Sequence, residues 1–260
     1  MNDQIKNVRF VRGELKRVIK PVAGLFAKAG GGMDRQMMYG APFLELEQDK
    51  TSGFSFGRAE QDGYVGYVET ASLAQAGSVT HKVIRLNTHI YPQANMKTVP
   101  LMTLPLGACL DVTQIEGGFA ELVTGGFVPE QAIALTNANA ADPVAVAELF
   151  LGTAYLWGGD SYQGIDCSGL VQAALGACGK SCSRDSAMQQ AEVGTEFGDN
   201  VALQRGDLVF WKGHVGIMAD ADRILHANAY HMRVTCEHLE KVSARILKTE
   251  GLEIACRRRP

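Results

Sequence analysis

Cys167, His214 and His226 have side chains that together can perform nucleophilic chemistry. Cys167 ends the glycine-rich stretch "YLWGGDSYQGID". There the spacing of "CSGLVQAALGACG" begins a helix with Leu170, Val171, Ala174 and Leu175 on one face. A thiol attacks as a thiolate, and a helix N-terminus with a nearby imidazolium lowers a cysteine pKa to roughly 3.5–7.5. Cys178 lies at the far end of that helix and Cys236 in a strand pattern, so neither has this setting. His214 opens "HVGIMAD" after the turn "WKG", and His226 lies in the following "RILHANA". A tight connection at "DADR" makes these strands antiparallel neighbours, and the two imidazoles then face each other across the pair. One ring can take the thiol proton while the other orients it. This is the logic of an acyl-transfer triad with a polar orienter in place of a carboxylate.

The elements around these residues read as an α+β domain over residues 142–260. Helical patterns come first ("VAVAELFLGTAY", "CSGLVQAALGACG", "SRDSAMQQAEVG"). Sheet-like runs follow, from "GDLVFW" through "MRVTCEHL" to "ARILKTEG". "TNANAADP" is a polar linker before it. Upstream, short apolar runs punctuated by turns predict two small β-barrels, over 37–78 and 79–138. Both blocks close on a Gly-aromatic-Val step, "GYV" and "GFV", followed by a short turn and an aliphatic residue. Residues 1–36 read as a basic arm and a glycine-rich linker, "AKAGGGMDRQ". Such an arm is a solvated face or a membrane-surface contact.

The chain has 260 residues, a net charge of −3 and 20% charged residues, which gives no reason to expect a nucleic-acid partner. The run "VAGLFA" is too short for a secretory h-region, and no stretch approaches a membrane span. These features lead us to expect a cytoplasmic protein with reduced thiols. No cysteine pair is spaced as CxxC, and Cys178 and Cys182 have no matching histidine pair. Neither a metal nor an organic cofactor is expected. His81, His89, His231 and His238 read as structural or exposed residues.

The motifs "YLWGG…DCSGLVQ", "RDSAMQQ", "GDLVFWKGHVGIM" and "ILHA" closely resemble the NlpC family of papain-like bacterial cell-wall cysteine peptidases, over about 142–250. The resemblance implies a papain-like domain with Cys167 as nucleophile, His214 as base and His226 as orienting residue. It also places Tyr155 and the Cys167 backbone N–H beside the oxyanion, although packing at the helix start is an equal role for Tyr155. The two barrels resemble bacterial SH3-like domains. That arrangement looks like the subgroup that recycles peptidoglycan peptides by cutting after D-glutamate, in L-Ala-γ-D-Glu-L-diamino acid peptides with a free N-terminal amine. The amine requires buried acceptors. Asp185, with Ser186 beside it, matches the family's position; helix capping is the other reading. Asp166 and Ser168 are expected to hold substrate beside the thiolate, and Trp157 to form a groove wall. Tyr64, or alternatively Tyr67, is the tyrosine expected to reach the amine; a strand-surface role is the other reading of Tyr64. The family often has an acidic residue after Tyr-Gly in the first barrel. Here "MMYGAPF" has Ala41, with Glu45 or Glu47 as substitutes. Two other functions compete: a wall-directed endopeptidase or amidase, and a non-catalytic binder of wall peptides. The sequence leaves open whether lysine or diaminopimelate follows D-glutamate, and the oligomeric state.

Overall fold

The computed structural model describes residues 12–260. Its first unit is one antiparallel sheet of seven strands: β1 (Glu14–Val18), β2 (Val22–Phe26), β3 (Met33–Met38), β4 (Pro42–Asp49), β5 (Phe54–Ala59), β6 (Val65–Glu69) and β7 (Leu73–Gln75). Their order is β3-β2-β6-β5-β4-β1-β7. Alternate residues of these strands point inward, and Leu25, Phe43 and Val68 are fully buried in the resulting core.

The arm and linker expected over 1–36 need correcting. Residues 1–11 lie outside the described residues, but 14–18 and 22–26 are strands of this sheet. The glycines after Lys28 form the turn from β2 to β3. Gly31 N–H donates to the Lys28 carbonyl at 2.9 Å, and Gly30 has φ 68°, a conformation that favours glycine. Arg17, one of the arm's cations, donates to the Gly40 carbonyl at 2.7 Å from within β1.

The second unit has eight short strands around one core: β8 (His81–Val83), β9 (Asn87–Ile90), β10 (Met102–Pro105), β11 (Cys109–Leu110), β12 (Val112–Glu116), β13 (Phe119–Leu122), β14 (Phe127–Pro129) and β15 (Ile133–Leu135). The repeated ending seen in the sequence is a repeated structure. Both β6 and β14 run into a single 3₁₀ turn, Thr70–Ser72 and Glu130–Ala132, and then into the closing strand.

The third unit contains α1 (Pro143–Glu148), the small hairpin β16 (Asp160–Ser161) and β17 (Gly164–Ile165), α2 (Cys167–Ala177) and α3 (Ser186–Glu192). It continues with β18 (Thr195–Phe197), β19 (Leu208–Trp211), β20 (His214–Met218), β21 (Arg223–Asn228), β22 (Arg233–His238), α4 (Leu239–Glu250) and β23 (Cys256–Arg259). Six strands form an antiparallel sheet in the order β18-β23-β19-β20-β21-β22. Phe210, Val215, Ile217 and Leu225 pack with α1 and α2, while Trp211, Met218 and Ile224 pack with α4. The sheet is therefore covered on both faces.

One expectation within this unit fails. "ARILKTEG" is helical: Val242 and Ile246 are buried one turn apart, and Gly251 ends α4 in the left-handed region at φ 71°.

Candidate active site

The loop before the nucleophile is held by charge. Asp166 caps α2, accepting from Gly169 N–H at 2.7 Å, and its other oxygen accepts from Gly158 N–H at 2.9 Å. The buried Arg184 guanidinium lies 2.8 Å from both Asp166 and Asp160, and donates to Ser168 Oγ at 2.8 Å. The role expected for Asp166 and Ser168 therefore changes. Both are buried, with their polar atoms engaged by Arg184 and by the loop backbone, and they hold the loop rather than open onto a groove. Asp160 also joins the loop to the first barrel, accepting from Gln36 N–H at 2.8 Å while its own N–H donates to Gln36 Oε1 at 3.0 Å.

Gly158, at φ 72°, sits where a Cβ would lie 2.8 Å from the Asp34 carbonyl. Gly158→Ala is expected to cost about 1–2 kcal/mol for the left-handed backbone, with that clash in addition, read as a lower melting temperature.

The two histidines meet as expected, offset by one step. Ile217 pairs with Leu225, and continuing that register puts Gly216 beside His226. A Cβ on Gly216 would lie 3.1 Å from the His226 Cβ, so the missing side chain leaves room for the second ring. His214 Nε2 and His226 Nδ1 are 2.8 Å apart. His226 Nε2 is in turn 3.0 Å from Glu237 Oε1, and Arg245 of α4 donates to both Glu237 oxygens at 2.8 Å.

Cys167 is the first residue of α2, with its thiol buried against β20. Burial pushes the thiol up to about 11, and the Asp166 carboxylate adds to this; the Val215 and Ser168 backbone N–H groups and Arg184 oppose it. Burial likewise pushes His214 down to about 3, with His226 and Arg245 adding to the effect. Both directions favour the neutral forms, a thiol at Cys167 and an imidazole at His214. The helix N-terminus does not by itself generate the thiolate. Tyr155 is near enough that the Cys167 charge, after burial, raises its phenol further, so its O–H remains a donor next to the sulfur. The first helical N–H of α2 lacks an intrahelical acceptor. Tyr155 and the Cys167 N–H can therefore both serve a developing oxyanion. Trp157 is 72% exposed.

Tyr64, just before β6 of the first barrel, lies near charged groups of both the barrel and the third unit. Its phenol is raised by burial first, then by the carboxylates of Asp185 and Asp34, with Arg184 and Arg35 opposing. Tyr67 instead packs its ring on Phe56, with centroids 5.0 Å apart. Asp185 stands at the N-cap of α3 but makes no side-chain capping bond. Burial raises its carboxyl, Arg184 lowers it, and Asp166 and Asp34 raise it further. Ser186 follows as the first residue of α3. Ala41 packs against the first barrel's core, and Glu45 is engaged by Ser55 and Lys16 inside that barrel. Glu47 is exposed. Two carboxylates of the barrel lie near Tyr64: Asp34, from β3, which raises its phenol, and Asp62, whose Oδ1 accepts from the Tyr64 N–H at 3.2 Å and which pairs with Arg35.

Residues 152–248 match the NlpC/P60 family, and residues 25–73 match the bacterial dipeptidyl-peptidase SH3 domain. The chain carries an NlpC/P60 domain. It is 37% identical to the gamma-D-glutamyl-L-lysine dipeptidyl-peptidase of Bacillus subtilis over 34% of this chain, a match that spans 32% of that relative's length. It is 25% identical to dipeptidyl-peptidase 6 of Lysinibacillus sphaericus over 86% of this chain and 91% of that one. Among solved structures, an NlpC/P60 family protein from Bacillus cereus superposes with a TM-score of 0.78 at 17% identity, covering 95% of this chain and 99% of its own. That likeness extends the common fold to the two β units that precede the third. No described helix is long and apolar enough to cross a membrane.

Four residues around the NlpC/P60 site escaped sequence reasoning: Asp34, Arg184, Glu237 and Arg245. Arg184 precedes Asp185 in "SRDS" and carried a usable signal, since an arginine next to two loop aspartates can be paired. Asp34 acts from an element distant in sequence, whereas Glu237 and Arg245 are near their partners but depend on the β21–β22 register and on α4 being a helix. His231, read as exposed, is half-buried, with Nε2 3.1 Å from Glu237.

Proposed function

We propose that the protein is a cysteine peptidase that hydrolyses the γ-D-Glu–L-diamino acid bond of peptidoglycan-derived peptides bearing a free N-terminal L-Ala, releasing L-Ala-D-Glu. This reading rests on the 2.8 Å contact of His214 with His226 in a segment that matches the NlpC/P60 family, together with the nearness of Asp34 and Asp185 to Tyr64. Two carboxylates and a phenol suit an ammonium group, which they would share with Arg184 and with Arg35, whose guanidinium lies 5.7 Å from the Tyr64 ring centroid. The names of the Bacillus and Lysinibacillus relatives support a dipeptidyl specificity. A substrate with a free alanine amine is a fragment already detached from the glycan, which favours a cytoplasmic recycling role over attack on intact wall.

The chemistry follows from the site. Cys167 Sγ attacks the D-Glu γ-carbonyl carbon as its proton passes to His214, and the oxyanion faces Tyr155 and the Cys167 N–H. The C–N bond breaks, and the departing amine takes the proton from His214. Water then attacks the thioester, gives a proton to His214, and releases the acid and the thiol.

Incubation with L-Ala-γ-D-Glu-meso-diaminopimelate and with its N-acetyl form, followed by mass spectrometry, tests the proposal. We expect L-Ala-D-Glu only from the free amine. Equal cleavage of both would overturn amine recognition, and cleavage of neither would favour a binding module. Lysine in place of diaminopimelate, run in parallel, reports the preference at the next residue. Asp185→Ala and Asp34→Ala are each expected to weaken free-amine selectivity by roughly ten- to a hundredfold, the worth of a charge-assisted hydrogen bond of ~1.5–3 kcal/mol.

A further inference from the structure

The face of the sheet under α4, where Trp211, Met218 and Ile224 pack, also carries a line of polar groups that continues past the two histidines. Ile224 pairs with Glu237 and His226 with Thr235, so Glu237 lies one step diagonally from His226 on the same face of β21 and β22. Glu237 is fastened there. Arg245 holds both its oxygens, Thr235 Oγ1 is 3.3 Å from Oε1, and Asn228 donates to Thr235 Oγ1 at 2.8 Å. The Arg245 guanidinium is itself stacked on Tyr230, 4.3 Å from the ring centroid. The ionisable groups facing the carboxylate are therefore His226 from β21, Tyr230 and His231 from the turn before β22, and Arg245 from α4.

We propose that Glu237 is a positioning residue that sets the proton positions on both histidines. A carboxylate only accepts, so His226 Nε2 must carry the proton shared with Glu237 Oε1. A neutral His226 then has a bare Nδ1, which can only accept from His214 Nε2–H. His214 in turn is left with a bare Nδ1 as the base for the Cys167 proton. Reversing His226 alone places two N–H groups face to face across 2.8 Å, and reversing His214 alone sets two lone pairs against each other. Once His214 is protonated, the negative charge two hydrogen bonds away favours the imidazolium. The hydrogen bonds from His226 and Arg245 keep Glu237 ionised, lowering its carboxyl far below the usual range.

The inference rests on Cys167 and His214 being the reacting pair, and its test is chosen so that it needs no substrate. In the unaltered protein, ring 15N spectra should show His214 and His226 protonated at Nε2. Protonation of either neutral ring at Nδ1 would overturn the proposal. The rate at which iodoacetamide alkylates Cys167, followed by peptide mass mapping, should fall about tenfold or more in Glu237→Ala at neutral pH. That deficit should close as pH rises toward the thiol's own pKa, where the thiolate forms without a base. Glu237→Gln, which keeps an accepting oxygen, should recover part of the lost rate. If the proposed peptide is cleaved, kcat should follow the alkylation rate while KM stays within about twofold. An unchanged neutral-pH alkylation rate, or a deficit that persists equally at every pH, would overturn the positioning role. Normal alkylation behaviour without peptide cleavage would instead count against the substrate assignment alone.

Discussion

Cys167→Ala is expected to remove peptide cleavage by about 10⁴-fold or more, because a neutral imidazole and an oxyanion site without a nucleophile leave only weak residual catalysis. The effect should be chemical rather than structural. The thiol is a small group at a helix start, and its loss leaves a cavity about the size of one sulfur, so melting should move little. Cys167→Ser should be nearly as inactive. Burial already holds the thiol up at about 11 and His214 down at about 3, and an alcohol would be harder still to deprotonate in that setting. The measurement is product formation from the free-amine peptide by each variant, with melting curves alongside. More than about one per cent residual turnover would place the chemistry at another group.

The proposed trio of Cys167, His214 and His226 is legible in the sequence for a definite physical reason. A helix start, two strands and a tight turn are local patterns, and the hairpin between His214 and His226 fixes their meeting within a few residues. The same locality explains what stays hidden. Glu237 reaches His226 only through the β21–β22 register, and Arg245 reaches Glu237 only because 239–250 is a helix. Read as a strand, "ARILKTEG" gives no reason to aim Arg245 at the sheet. The glycines after Lys28 mislead in a similar way. A positive-φ turn and a flexible linker use the same residue, and only the pairing of β2 with β3 tells them apart. Asp34 is hidden for the same reason, since it lies in the strand that was taken for linker. Asp185 is the instructive middle case. Its position before a helix suits capping as well as binding, and its side chain makes no capping bond.

Arg184→Met is expected to be the most damaging substitution away from the reacting atoms. Arg184 is 2% exposed and lies between the carboxylates of Asp160 and Asp166, which are nearly as buried. Removing the cation leaves two desolvated carboxylates facing each other, a loss of about 3–5 kcal/mol. At about 2–4 °C per kcal/mol, melting should fall on the order of 10 °C. The damage should also depend on pH with a definite sign. Burial already raises the Asp160 carboxyl above its ordinary value, with Arg184 opposing, so the variant should raise it further. A carboxyl whose folded pKa exceeds its unfolded value binds more protons when folded, and its contribution to stability falls as pH rises through the folded pKa. Arg184→Met should therefore lose less stability near pH 5 than near pH 8, measured against the wild-type protein at each pH. Function should fail along with stability, because Asp166 caps α2 and Asp160 ties the loop to Gln36 of the first barrel. Free-amine selectivity and turnover should decline together as both ends of the site lose their anchor. A variant that melts normally while losing selectivity would mean that Arg184 touches substrate rather than holding the loop.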